Sequence, residues 1–492
     1  MAPPASRPDR RHEALVFLLL LLCSGYFVPR AGRSDWNATG RADLVFAVAD
    51  HGVLWIDDYH ENTGDKAYFE GHYYAVGSIG PSLIALPAYL ALKPILALPP
   101  LARRLDREEA TVRAQAISPG SHRDATPRER LGMLVMTLAA ASLPSALLGV
   151  VVYRLACRLV PRDTEALAVA LTYGLATVVF PYSKAMFQHQ LSAFGAFVGF
   201  YLLWRVAREN AAPWRLWLVG ALFGLATISE YPVAPFLLLP VVWAWRELPR
   251  PWVLHRVVWG ALPLGLLFAG YNWVIFHTPF PAGYRYHVEY YKVHEQGFMG
   301  FTGPTWEALY GITLSPYRGL FFLSPVLLLS LPGLVLLWRD PRFRSTAVLV
   351  ALLLAGFLLY VASYLYWSGG DAVGPRFLVP LVPFLMLPLA RAWSEWSSHR
   401  LGRVALWALV LVSALNVWIQ SIAGQTYPPE EFRGHLVTNP TTQWALPLLR
   451  QGDVAVNYGH WLGLHGLATL LPLAAGMALV VLTVGRWRPR ES

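Results

Sequence analysis

The 492-residue chain is 55% hydrophobic and only 14% charged, with a mean hydropathy of +0.41. That is too little charge to cover a soluble domain of this size, so the bilayer is its expected solvent. The net charge of +10 is almost entirely arginine. These arginines sit at the ends of apolar runs, where they orient spans, so the basic balance points away from nucleic acid.

In chain order, Arg10 and Arg11 precede the apolar run from Ala14 to Val28, read as an uncleaved first span; Leu22 before Cys23 argues against a lipoprotein signal. Cys23 and Cys157 lie in or beside apolar runs, which does not support a disulfide framework. Stretches near the length a helix needs to cross hydrocarbon then recur to the C-terminus. The fold class expected is an all-α polytopic membrane protein with about twelve transmembrane helices. The spans are read at 14–29, 131–153, 166–182, 188–204, 216–231, 233–245, 257–277, 319–338, 345–366, 377–392, 404–422 and 467–485.

With the N-terminus inside, the cytoplasmic connections collect Arg154, Arg158 and Arg162; Arg205, Arg208 and Arg215; Arg246, Arg250 and Arg256; Arg339, Arg342 and Arg344; Arg391, Arg400 and Arg403; and, at a cytoplasmic C-terminus, Arg486, Arg488 and Arg490. A crossing at Ile79–Leu101 would invert every later loop, and Pro81, Pro87, Pro94, Pro99 and Pro100 interrupt that segment. It is read as a pair of interfacial helices inside a large first extracytoplasmic loop, 30–130. Two further outer loops follow, 279–318 and 424–466, and residues 1–492 form a single transmembrane domain. Arginine-over-lysine usage with much Ala, Leu and Pro suits a GC-rich bacterial genome, hence an inner (plasma) membrane.

The outer loops hold the chemistry. Asp57, Asp58 and Asp65 lie near His72 and Tyr74 in the first loop, with Lys66 beside them. Acids, imidazoles and phenols at a membrane surface can bind a polar head group and move a proton. Lys184 and His189 flank the turn before the fourth span, Glu230 lies at the next outer turn, and Tyr284 and Arg285 follow the seventh span. Arg318 precedes the eighth span, and YLYWSGGDAVGPRFLVP brings Asp371 and Arg376 to the end of the ninth. Cations there would form charge-assisted hydrogen bonds to a lipid-linked phosphate. No ligand spacing specifies a metal, although the carboxylates would suit a divalent cation such as Mg2+ or Mn2+. A P-loop, GxGxxG after a strand, HExxH and GxSxG are all absent from the sequence.

The segments IDDYHENTGDKAYFEGHYY, GPSLIALPAYL, SKAMFQHQLSAF, SPYRGLFFLSP and SGGDAVGPRFLVPLVPFL resemble the glycosyltransferase C superfamily. The likeness is to its family 39-like branch of protein O-mannosyltransferases and aminoarabinose transferases. The resemblance implies a polyprenyl-phosphate sugar donor, a glycan, lipid or protein acceptor, and inverting transfer on the outer face, with Asp65 as base and Asp57 and Asp58 as alternatives. It implies donor-phosphate contacts from Arg376, Lys66, Lys184 and Arg318. His72, Tyr74, His189, Glu230, Tyr284, Arg285 and Asp371 would bind substrate. Where many relatives carry an acidic pair after the first span, this chain reads SDWNATGRAD; where they carry a Lys-Pro-Pro-Gly-like element, it has Ser78-Ile79-Gly80-Pro81. The missing lysine passes its phosphate contact to Lys66 or Arg376.

Two other readings fit the span count. A transporter or lipid flippase would show internal repeats and charged or broken midplane helices, whereas polar residues here gather at one face. A non-catalytic scaffold descended from transferases is the other.

Overall fold

The computed structural model describes residues 6–113 and 122–486. Each predicted stretch is helical over most of its length. The first helix, α1 (Arg10–Gly25), is capped by Asp9, whose carboxylate accepts the Arg11 N–H at 2.8 Å. It is followed by α2 (Trp36–His51), by a hairpin of β1 (Lys66–Phe69) and β2 (His72–Ala75), and by the pair α3 (Gly80–Leu96) and α4 (Pro99–Arg113). The hairpin turns on Glu70 and Gly71, both at positive φ, which matches the twist of the paired strands.

Then come α5 (Pro127–Ala156), α6 (Asp163–Leu175), α7 (Gln188–Arg208), α8 (Arg215–Ser229), α9 (Ala234–Glu247) and α10 (Pro251–Phe276). The chain closes with α11 (Pro325–Arg339), α12 (Arg344–Ala362), α13 (Arg376–Ser397), α14 (Arg400–Ile422) and α15 (Gly466–Arg486). Seven of these, α5, α7, α10, α12, α13, α14 and α15, are long and apolar enough to cross a membrane. The helices on the other five predicted spans are shorter; α6 has 13 residues, only ~20 Å of rise against a ~30 Å hydrocarbon core.

Small residues let the helices close on one another. A Cβ on Gly149 or on Gly174 would strike Leu20 of α1, and Gly333 of α11 sits against the Pro388 carbonyl of α13. Helix α13 is central and largely buried, while α10 and α15 are mostly exposed. Outward residues of α10 such as Val258, Trp259, Leu266 and Val274 are exposed, a face that hydrocarbon would cover.

Five arginine clusters converge at one end of the bundle, where polar bonds join them. Arg154 clasps Glu13 of α1 at 2.7 Å, and Arg158 meets Glu209 at 2.9 Å. Arg208 reaches both Glu247 and Ser345, Arg162 reaches Ser397, and Arg403 donates to the Ser397 carbonyl.

The pair α3–α4 bends by 103°. Its first residues pack on Ser229 at the end of α8, and Asp106 near its close bonds Arg128 at the start of α5 at 2.7 Å. Both ends therefore lie away from the arginine clusters.

Candidate functional site

At the end of the bundle opposite the arginine clusters, the loop after α1 with the start of α2, Asp65 just before the β-hairpin, and the segments after α10, α12 and α14 enclose a cavity of about 530 Å3. Its polar lining includes the carboxylates of Asp35, Asp65, Asp371, Glu430 and Glu431, the cations Arg33 and Arg376, and Asn37, Gln188, His287 and His294, and Tyr284, Tyr290, Tyr364, Tyr366 and Tyr427 supply much of the rest.

Asp65 is placed by local structure on both sides. Its backbone N–H donates to the Thr63 hydroxyl at 3.1 Å, and Gly40 of α2 lets the loop approach, since a Cβ there would lie 3.0 Å from the Asp65 carbonyl. Asn37 donates to one carboxylate oxygen at 2.9 Å and His287 Nε2 to the other at 3.1 Å. His287 reaches it because its segment bridges to Ala67 of β1. Its Nδ1 accepts the backbone N–H groups of Glu289 and Tyr290 at 3.0 and 3.1 Å, so the proton sits on Nε2. Burial would raise the Asp65 carboxyl, but the His287 hydrogen bond and the charges of Arg41 and Arg376 outweigh it and hold it below the usual carboxylate range.

Asp35 is another carboxylate of the lining. It caps α2 by accepting the Ala38 N–H at 3.1 Å, while its other oxygen, buried, has no hydrogen-bond partner. Burial pushes its pKa up to about 6, against the opposing pull of the Ala38 N–H and Arg30.

Arg376 is delivered by a glycine-rich turn. Gly369, Gly370 and Gly374 all have positive φ, and a Cβ on Gly369 would sit 2.9 Å from Arg376 Nε. The guanidinium lies 5.0 Å from the Phe377 ring and 5.8 Å from Phe187, with Nε unpartnered. Behind the wall, Arg41 of α2 is buried, bonds the Asn37 carbonyl, and leaves Nε and Nη2 without partners. It fills the space beside Gly77, whose Cβ would come within 2.8 Å of Nη2.

Of the residues singled out from sequence, Asp65, Tyr284, Asp371 and Arg376 are brought together around this cavity; the others are not. Asp57 pairs with His72 at 2.6 Å on the outer side of the hairpin, and Asp58 is exposed beside His51. Lys66 turns away, donating to the His60 carbonyl at 2.5 Å, and Tyr74 packs into an apolar cluster with Phe276. Arg318 is fully buried and donates to the carbonyls of Ala372, Gly370 and Pro428, which makes it a brace for the turn that carries Arg376. Lys184 lines a separate cavity, and Arg285 is exposed outside this one. His189 and Glu230 form a buried pair at 2.9 Å behind Phe187 and Phe377.

Asp35, Asn37 and Arg41 were not among the residues singled out for the site, whereas His287 lies in the polar run after the seventh span. Asp35 had a legible signal, an Asp immediately before a helical pattern, but that signal reads as a cap. Among the described residues, Asp9, His12 and Asp163 form a grouping with mutually close ligand atoms, and it lies at the arginine end, apart from the cavity.

No protein-family model matches the chain, and no curated protein matches it.

Proposed function

We propose that the protein is an inverting glycosyltransferase of the C superfamily type, moving a sugar from a polyprenyl phosphate to an acceptor hydroxyl. In this reading twelve spans cross a bacterial inner membrane, with both termini and the arginine clusters in the cytoplasm. The supporting observation is the cavity itself: five carboxylates, Asp35 and Asp65 among them, and the unpaired Arg376 guanidinium share one aromatic-walled space opposite the arginine clusters.

Asp35 is a better base than Asp65. A general base works best with a pKa near the working pH; burial raises Asp35 toward it, whereas Asp65 is held below the usual carboxylate range. The acceptor oxygen attacks the anomeric carbon as its proton passes to Asp35. The bond from that carbon to the phosphate oxygen breaks on the opposite face, inverting the centre, and the phosphate leaves with the bonding pair. Arg376, backed by Arg41, stabilises the departing anion. Arg41 beside Gly77 supplies positive charge next to the Ser78-Ile79-Gly80-Pro81 element that lacks the lysine. Asp65, ionised and held by His287 and Asn37, balances these two cations and keeps them aimed. The tyrosines give flat apolar faces to a sugar ring.

The test is incubation of the purified full chain with radiolabelled polyprenyl-phosphate sugars, followed by a search for labelled acceptor. Transfer is expected, with Asp35→Asn slowed by about 100-fold or more and Asp65→Asn also impaired. Solute or lipid movement in reconstituted vesicles with no covalent product would instead make the protein a transporter or flippase.

A further inference from the structure

A second cavity, of about 490 Å3, adjoins the first; Arg33, Ser34 and Tyr427 wall both. Its charged lining is Arg30, Arg33, Arg130 and Lys184 against one carboxylate, Asp124, which Arg33 already engages at 2.9 Å. Three cations from separate segments are left over.

Two of them are buried. Arg30 is 9% exposed, lies 4.2 Å over the Tyr427 ring and donates through Nη2 to the carbonyls of Ala423 and Gly424, while Nε is without a partner. Lys184 is 6% exposed, donates to the Ser421 carbonyl at 2.7 Å and lies 4.5 Å over Phe27. Backbone carbonyls and rings orient a cation but do not neutralise it, and among the described residues neither Arg30 nor Lys184 forms an ion pair. Burial and the charge of Arg30 press the Lys184 ammonium far below its ordinary range, a shift that an anion bound beside it would oppose. What the pair lacks is an anion. Asp35 feels the charge of Arg30 and Arg130 is exposed, but among the described residues none of the three is ion-paired, and the volume holds a phosphate with a sugar or glycerol attached.

We propose that this second cavity is a phosphate-binding site formed by Arg30, Lys184 and Arg130, and that it seats a phosphate carried by the acceptor. The first half stands on the cavity alone; the assignment to the acceptor rests on the transferase reading. In that case the acceptor is a phosphate-bearing molecule, its anion on the three cations and its hydroxyl passing Ser34 and Tyr427 to reach Asp35.

The test uses the full chain in phosphatidylcholine nanodiscs, titrated calorimetrically with inorganic phosphate and with glycerol 3-phosphate. Saturable binding is expected that survives Arg376→Gln, weakens tenfold or more in Lys184→Gln, and weakens severalfold in Arg130→Gln. Arg130 is exposed, so that variant keeps the test valid if the buried substitution impairs folding. Phosphatidylglycerol in the nanodiscs competing with the soluble probe would identify a lipid head group as the source; no competition would identify a soluble phosphate. Absence of saturable binding, or binding lost only in Arg376→Gln, overturns the proposal. Phosphate binding of the expected pattern without sugar transfer would leave the site standing and remove the acceptor assignment.

Discussion

Asp35 and Asp65 line one cavity but respond to pH with opposite signs. The folded-state pKa of Asp35 is raised to about 6, so folding takes up a proton there, and its ionised form costs stability at neutral pH, on the order of 3 kcal/mol. Stability from this group rises as pH falls from about 6 through the ordinary carboxyl range. Asp65 is held low, so its contribution is present above the unfolded carboxyl pKa and is lost as pH falls through the lower folded one. Asparagine caps a helix as well as aspartate does. Asp35→Asn should therefore leave the thermal midpoint at pH 7 equal to or above that of wild type and remove the gain on acidification, while transfer is lost. A midpoint several degrees lower would mean the Asp35 charge is compensated in the native state. Acid clustering along the chain was enough to single out Asp65. Asp35 escaped that signal because its role as a cap and its position in the cavity use the same side chain.

At the scale of elements, α8 and α10 approach through glycines. A Cβ on Gly220 would enter the Val257 carbonyl, and one on Gly260 would enter the Trp217 carbonyl. Neither backbone can yield without separating the helices, so Gly260→Val should lower stability by about 1–3 kcal/mol. Gly265 of the same helix faces open space, and Gly265→Ala should be neutral or stabilising by up to about 1 kcal/mol. Thermal unfolding of both variants in detergent checks the pair; equal effects would show that close approach does not matter at this contact. Hydropathy located both helices in advance. It carried no information about which glycines face a neighbour, because that depends on the rotation of each helix about its axis.

For the molecule as a whole, the arginine clusters and the cavity occupy opposite ends of one bundle. Cys23 and Cys157 are both buried, so native thiols should stay silent to a membrane-impermeant maleimide. Single cysteines in place of the exposed residues Glu431 and His399 should label from opposite sides of sealed, oriented vesicles. Labelling from the same side would undo the topology and with it the transferase reading.

Charge and hydropathy act residue by residue along the chain, and so the helical membrane class, the approximate helix positions and the separation of a basic end from an acidic, aromatic end were legible without coordinates. The site was legible only in part. Asp65, Asp371 and Arg376 announce themselves by charge in outer loops, but nothing local tells Arg318, a brace on three carbonyls, from Arg376, a free guanidinium, or parts Lys66 and Lys184 from the cavity they were expected to serve. Tertiary packing decided those matters, because the partners that satisfy or abandon a buried cation come from distant segments: the Ala372 and Pro428 carbonyls for Arg318, Ser421 for Lys184, and no hydrogen-bond partner for Arg376 Nε.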